Sequence, residues 1–506
     1  MSKQNYDSKF CGSLPISFVN QIQDYGFLLV CDPALIVLQV SDNAEAFTRI
    51  SYQSFIDKNL KELLTADSFQ LLQEKLSSKA QKRFTCTLEF YGGVRTSFLT
   101  LIHVKEEYIL FEFEPSDDTD IKGFREVYQQ IHEASAAIQQ SQELGESLSI
   151  AVKELKTFSG FDKVMIYKFD EDWNGHVLAE AMEPGMESYL GITFPASDIP
   201  KQARELYLKN PYRLIPDREY KPSKLYPVIN PASSGFVDLG VCNLRGVIKV
   251  HLEYLTNMNV KSSMSTRILK DNTLWGLIAC HHREKKFLNF DQCSVFEMFS
   301  NVVSTRLSAL ETEQNLTKTT ENQALMNSII EELYSQTMLI NAIDNCAALI
   351  MQLLDCTGLV HIRESKVKSF GACPSASSIH ELVIWLQMKN FTTLYATAAL
   401  TEAYEDAAAI ASVASGLLAF PVIPDKGEYI LCFRAEILQR IDWGGNPNEA
   451  IRFNEDMKTY HPRHSFEIWK EEIKSTSQPF QEYEMNFAKE LQRIFIETRL
   501  KEQNRR

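Results

Sequence analysis

The stretch Thr193-Phe194-Pro195-Ala196-Ser197-Asp198-Ile199-Pro200 decides how the chain is read. Two prolines bracket one carboxylate and forbid regular helix or strand across it, so Asp198 stands on a stiff loop. Phe194, Ala196 and Ile199 pull that loop inward, which leaves Asp198 close to a core. A carboxylate held there needs hydrogen-bond donors, a cation or a metal. Taken alone, the stretch also fits an ordinary turn with an exposed aspartate. The reading turns on whether the rest of the chain supplies a cationic ligand.

Outward from this loop, residues 163–169 and 176–182 read as strands flanking the turn Trp173-Asn174-Gly175, and a helix is expected at 202–208. Helices over about 121–158, ended by Ser159-Gly160, open the same domain. A proline-rich irregular stretch at 210–240 is too long for an idle connection. The pattern over 244–258 predicts a helix with Val247, His251, Tyr254 and Met258 on one face. Strands at 262–269 and 273–281 close the domain.

On the N-terminal side, residues 25–114 read as a compact α+β domain. Phe84, Cys86, Leu88 and Phe90 alternate with polar residues as in a half-buried strand, and Ile109, Phe111 and Phe113 repeat the alternation. An acidic linker follows at 115–120. On the C-terminal side, apolar residues from Val295 to Leu310 fall at steps of three and four, and Leu316, Leu325, Ile329 and Leu333 extend the stripe. This predicts one long helix leaving one domain and entering another, packed either within one subunit or between two. The third domain, about 326–487, repeats the α+β character and ends in a charged helix over 482–506. Inside it, 437–472 is a long polar excursion in which Trp443, Ile451, Phe453, Phe466 and Trp469 call for burial. Ser465, Glu467 and Trp469 alternate as on a strand, while Phe466 and Trp469 are one helical step apart, the ambivalence a refolding arm needs, although short apolar segments often show it without such a role.

Composition narrows the function. The 506 residues suffice for about three domains, and 44% hydrophobic with 23% charged content is that of a soluble globular protein. A net charge of −14 argues against broad nucleic-acid binding and offers no polybasic membrane signal. Ten cysteines lie scattered without a C-x-x-C pair, so no metal site or disulfide framework is suggested and a reducing cytoplasm is expected. The polar N-terminus lacks a signal-peptide core. The most membrane-like run, 407–423, is broken by Ser412, Ser415, Gly416 and Pro421 and reads as a small-residue helix entering a strand.

The second domain holds the candidate chemistry. Ser263 and Ser265 share one strand face and could meet one anionic group. Arg213 and Arg245 could each fork onto a carboxylate. His251 projects from the apolar helix face and His281 ends a buried strand. With Asp198 and several tyrosines, the set suits a large flat ligand with an apolar body, two acidic tails and a polar or cationic centre. Singly, each residue also fits a satisfied core or surface role.

Phe194-Pro195-Ala196-Ser197-Asp198-Ile199-Pro200, Leu244-Arg245, His251-x-x-Tyr254-Leu255-x-Asn257-Met258, the run Leu274-Trp275-Gly276-Leu277-Ile278-Ala279-Cys280-His281-His282, and Pro462-Arg463-x-Ser465-Phe466 stand in this order. In that combination nearly the whole chain resembles the phytochromes, and among them the bacteriophytochromes most. The resemblance implies an α+β molecule of three domains, each a central antiparallel sheet with flanking helices, joined by long helices. Its parts would be an N-terminal segment (1–24), a PAS domain (25–118), a GAF domain (119–312) and a PHY domain (313–506). An N-terminal knot is implied as well, with 210–240 as the threaded loop, and so is a PHY tongue at about 437–472. It also implies a red/far-red photoreceptor with no enzyme activity in this chain and a homodimer that acts on a histidine kinase or another effector.

The cofactor implied is biliverdin. Val250 stands where phytochromes that attach a bilin within GAF have a cysteine, whereas Cys11, ahead of Leu14-Pro15, matches the thioether-forming cysteine of bacteriophytochromes. Carried over, Asp198, Ile199 and His251 hold the pyrrole centre. Arg213, Arg245, Ser263 and Ser265 hold the propionates. Met165, Tyr167, Phe194, Tyr207 and Tyr254 line the pocket, and His281 meets the rotating ring. Asp198 also faces the tongue, pairing with Arg463 in one state and Ser465 in the other, and Trp443 and Trp469 belong to the same tongue switch. The chain departs from the family at Ile22-Gln23-Asp24-Tyr25-Gly26, at Cys432-Phe433-Arg434-Ala435-Glu436 and at Ile248, which bears on reversion rate and state preference. Two rival readings stand beside this one: a PAS/GAF sensor of haem or a cyclic nucleotide, and a bilin protein selected for fluorescence with an impaired switch.

Overall fold

The computed structural model describes residues 16–78, 82–91, 97–116, 124–391, 393–447, 451–453, 460–462 and 466–504. The chain runs β1 (Gln21–Ile22), β2 (Phe27–Cys31), β3 (Val37–Ser41), α1 (Ala44–Thr48), α2 (Leu60–Leu63), α3 (Ala66–Ser77), β4 (Arg83–Glu89), β5 (Ser97–Val104) and β6 (Ile109–Pro115). Next come α4 (Phe124–Gln140), α5 (Leu144–Ser159), β7 (Lys163–Phe169), β8 (Gly175–Met182), β9 (Thr193–Phe194), α6 (Lys201–Lys209), β10 (Tyr212–Ile215) and β11 (Ser223–Tyr226). Then follow α7 (Lys249–Asn257), β12 (Ser262–Lys270), β13 (Thr273–His282), α8 (Phe290–Ser335), α9 (Leu339–Leu353), β14 (Gly358–Arg363), β15 (Lys366–Gly371) and α10 (Ala376–Met388). The last elements are β16 (Tyr395–Thr397), α11 (Leu400–Ala403), α12 (Ala411–Ala414), β17 (Gly416–Ile423), β18 (Glu428–Arg434), β19 (Gln439–Gly444), β20 (Ile451–Phe453), β21 (Tyr460–Pro462), β22 (Ile468–Ile473) and α13 (Glu482–Asn504).

Contacts group the chain into two compact units, Met1–Leu310 with Asp442–Trp469, and Glu311–Ile441 with Lys470–Arg506. The expected α+β character holds in both. The long apolar stripe forms one helix of 46 residues, α8.

In the first unit, a seven-stranded sheet has the order β1-β11-β3-β2-β6-β5-β4. One face carries the cluster of Phe27, Phe98, Phe111 and Phe113, where the rings of Phe27 and Phe113 stack with centroids 4.5 Å apart. The half-buried alternation expected for 109–113 is not what forms, because β6 is buried on both faces. Leu225, Leu239, Cys242 and Leu244 cover Leu110 and the second face. Here Glu112 lies 2.8 Å from His103 Nε2 and accepts the Leu244 N–H at 2.7 Å. Among the described residues His103, Glu112 and Cys242 are the one group close enough to share an ion, yet both Glu112 oxygens are engaged and the group acts as a clamp.

The same clamp explains where the sequence reading of 244–258 as a helix fails. The helix begins only at Lys249, because the N-terminal segment engages the backbone before it. Gln23 N–H donates to Leu244 O at 2.8 Å, Gly246 N–H to Gln21 O at 2.8 Å, and Ile22 bridges Arg245. On its other side the segment pairs with β11 through Gln21–Lys224 and Ile22–Ser223. The segment therefore bonds to backbone on both sides, at residues 223–224 and at 244–246.

The second sheet of this unit has the order β10-β12-β13-β7-β8-β9-β19-β22, with one parallel pairing, Trp443 opposite Thr193. Along β12 burial alternates: Ser262, Met264, Thr266 and Ile268 are buried, while Ser263 and Ser265 are only partly so. Met264, Ile268, Ile278, Cys280, Val164 and Ile166 face a core shared with α5 and the start of α8. The period of two thus frees the opposite face for a ligand.

The second unit is built on a five-stranded antiparallel sheet, β15-β14-β18-β17-β16. Leu359, Leu418, Phe420, Ile430 and Cys432 pack against α9 and α13, while Val360, Leu417, Leu431 and Phe433 pack against α10 and the small-residue helices after it. The run 407–423 becomes such a helix entering β17, and among the described residues no helix is long and apolar enough to cross a membrane.

Candidate functional site

The free face of the second sheet forms the floor of a deep cavity in the first unit. Strand register lays its residues in rows: Arg213 opposite Ser265, Ser265 opposite Ala279, Ala279 opposite Met165. The next row runs Ile215, Ser263, His281, Lys163. Helix α7 supplies a wall with His251, Tyr254, Leu255 and Met258 at helical spacing, and α6 another with Leu206 and Tyr207. Phe194, Asp198 and Ile199 enter from the proline-bracketed loop, and Pro462 from β21.

Local bonds hold that loop. Asp198 N–H closes a turn onto Pro195 O at 3.0 Å, and Ala196 N–H donates to Asn174 Oδ1 at 3.2 Å. Arg204 donates to Ile199 O at 2.7 Å while its guanidinium lies 4.5 Å from the Trp173 ring centre. The Asp198 carboxylate accepts the Tyr254 hydroxyl at 2.8 Å. Tyr254 stacks near-parallel with His251, and on its far side Phe466 meets it edge-on with centroids 5.4 Å apart.

The electrostatics are lopsided. Arg213 donates to two backbone carbonyls, Gly246 O at 3.1 Å and Asn243 O at 3.4 Å, and Arg245 donates to Ile16 O at 2.9 Å. The buried Arg245 Nε has no partner among the described residues. Burial, and then the charge of Arg213, push the Arg245 guanidinium down to about 9. Burial, then Arg213 and Arg245, push His251 down to about 4. Burial, then Lys163 and His251, push His281 down to about 3, so both imidazoles are neutral at pH 7. The only carboxylate among the described lining residues is Asp198. Two half-buried cations lacking a carboxylate, beneath an apolar body with neutral imidazoles, fit a large ligand bearing two acidic groups.

The structure brings Asp198, Ile199, His251, His281, Arg213, Arg245, Ser263, Ser265, Tyr167, Tyr207, Tyr254, Met165 and Phe194 around this one cavity. Ser265 is 2.6 Å from the Tyr207 hydroxyl. Trp443 is buried against β9, and Trp469 is half-buried on β22. Cys11, Arg463 and Ser465 lie outside the described residues. Sequence reasoning missed Tyr189 and Leu206. Leu206 was within reach, being one helical turn from Gln202 and adjacent to Tyr207, whereas nothing local marks Tyr189, which the chain delivers from a turn after β8.

Family models match in chain order: the PAS fold at residues 11–116, the GAF domain at 143–307 and the phytochrome region at 322–504. A bacteriophytochrome crystal structure from R. palustris superposes with a TM-score of 0.88 at 30% identity, covering 97% of this chain and 99% of that one. The chain belongs to the phytochrome family. The wild-type photosensory core module of the Stigmatella aurantiaca phytochrome is similar too, with a TM-score of 0.87 at 30% identity, over 97% of this chain and 98% of that one. Cyanobacterial phytochrome B of Nostoc sp. is 33% identical over 97% of this chain and 66% of its own length. The bacteriophytochrome of Xanthomonas campestris is 29% identical over 97% of this chain and 78% of its own length. The chain thus carries the PAS–GAF–PHY photosensory module of phytochromes and spans about two thirds of the Nostoc relative.

Proposed function

We propose that this module is a red/far-red light receptor whose cavity holds biliverdin, linked as a thioether to Cys11. The observation that carries the reading is the Arg213–Arg245 pair, two half-buried guanidiniums with carbonyl partners and no carboxylate among the described residues. Bound biliverdin supplies light absorption and a double bond that isomerises. Arg213 and Arg245 hold its two carboxylates, with Ser263 and Ser265 beside them on the sheet. Asp198, Ile199 and His251 hold the polar centre. Met165, Tyr167, Phe194, Tyr207 and Tyr254 enclose the apolar body and exclude water, and His281, across from Ser263 on the next strand, offers a neutral imidazole.

Asp198 links the cavity to the arm. Its Tyr254 partner touches Phe466 of the arm, so a change around Tyr254 reaches the stretch that holds Arg463 and Ser465. The arm refolds between strand and helix, and the long helices carry the change through a homodimer to a histidine kinase or another effector. Absorption spectra of the chain mixed with biliverdin, before and after red and far-red light, test the reading. A red band that shifts reversibly is expected, and Cys11→Ser should lose the denaturation-resistant chromophore. No red band, or one indifferent to light, would sink it.

A further inference from the structure

One buried ion pair beneath the cavity has no part in the ligand set above. Lys163 opens β7 and is 1% exposed. Its Nζ lies 3.4 Å from Glu180 Oε1 on β8 and 3.6 Å from the centre of the Tyr189 ring, and it donates to the Glu187 carbonyl. Glu180 is fixed in turn by Ser188 Oγ at 2.6 Å and by the Tyr189 N–H at 3.1 Å. Lys163 is also the direct cross-strand partner of His281, on the sheet face that floors the cavity. Side chains so paired stand roughly 5 Å apart at Cβ. A buried cation costs a great deal unless it is paired, and a lysine is an unusual choice for a wall that a leucine would fill.

We propose that Lys163, held in place by Glu180, is a positioning residue whose charge adds to burial in disfavouring imidazolium at His281, so that the acidic groups of a ligand are received at the arginines and not there. Arg213 lies two strands from His281, roughly 10 Å across the sheet. Acidic groups are drawn to the arginine end. At the His281 end Glu180 holds the lysine ammonium in place and offsets its charge in part, and the imidazole stays a neutral hydrogen-bonding group. A ligand with acidic groups on one side only is thereby received in one direction. The charged and titratable groups around His281 are Lys163 on β7, His251 on α7, and Glu180, Glu187 and Tyr189 behind Lys163. Removing the lysine charge favours imidazolium, and the unpaired Glu180 left behind acts in the same direction.

The proposal rests on the light-receptor reading only for the identity of the ligand, so its test uses the ligand-free full chain. The probe is 15N-histidine NMR, with the His281 signal assigned by its loss in His281→Gln. In the parent protein His281 should stay neutral down to about pH 5. Lys163→Met should raise its midpoint by about one pH unit or more, a tenfold change in proton affinity. Lys163→Arg should restore the low midpoint. A purely structural lysine would change stability and leave the midpoint alone. If Lys163→Met does not fold, the paired replacement Lys163→Gln with Glu180→Gln keeps amide hydrogen bonds without charge and should also raise the midpoint. A His281 midpoint unchanged in the folded variant overturns the proposal. Failure of the biliverdin reading would instead appear as a missing red band, with this titration intact.

Discussion

Each unit buries arginines, and it treats them in opposite ways. In the second unit Arg434 donates to Glu484 at 2.7 Å and to the carbonyls of Leu354, Asp355, Gln478 and Pro479. Arg499 Nε meets both oxygens of Glu428 at 2.9 and 3.0 Å. In the first unit the half-buried Arg213 and Arg245 find only carbonyls among the described residues, and the Arg213 charge, after burial, pushes Arg245 toward losing its own. A buried charge that is fully paired belongs to the architecture. A half-buried pair of like charges left short of counter-ions marks a place where a ligand completes the electrostatics.

Three measurements can break or sharpen this contrast. The largest effect is expected at Glu484→Ala, which strands the Arg434 guanidinium in the second unit. Urea denaturation should show a loss of about 3–5 kcal/mol. A loss under about 1 kcal/mol would mean that the pairing there is not architectural.

Next comes Glu114, a buried carboxyl whose neighbours Glu112 and Asp291 are acidic. Burial, then Glu112, push it up to about 8. A raised carboxyl is favoured protonated in the fold, so its contribution is complete below the unfolded value near 4.5 and falls as pH rises through about 8. Stability should drop by a few kcal/mol over that window, and Glu114→Gln should flatten the profile. An equal slope in both proteins would refute the assignment.

The smallest effect on stability is expected at Arg245→Met. Because the cation lacks a carboxylate, ligand-free stability should stay within about 1 kcal/mol of the parent, while retention of biliverdin falls tenfold or more. A loss as large as that of Glu484→Ala would erase the distinction between the two kinds of arginine.

What the sequence reveals and what it hides divide along the same physical line. A short apolar run ahead of the Trp173-Asn174-Gly175 turn locates β7 at residues 163–169, and period-two patterning places Ser263 and Ser265 on one face. Proline stiffness locates the Asp198 loop, and helical spacing puts His251 with Tyr254. These are local rules acting on neighbouring residues. Strand β11 joining a sheet made mostly of residues before 116, and Leu244 to Ile248 lost from the expected helix, depend on backbone bonds to a segment more than 200 residues away. No window of sequence contains both partners. The charge states of His251 and His281 were hidden for the same reason, since burial and the arginine and lysine charges that set them come from other elements.

The N-terminal segment has a mechanical consequence. Its backbone is bonded on one side to β11 and on the other to Leu244 and Gly246, and Leu239 N–H reaches Ser17 O at 2.9 Å. A pull on residues before Ser17 therefore loads two separate seams in shear, and neither can open while the other holds. Arg245, anchored on Ile16 O, sits at the end of that seam. Tension or slack in the leading strand is transmitted to the cavity wall, as a drawn cord sets the mouth of a pouch.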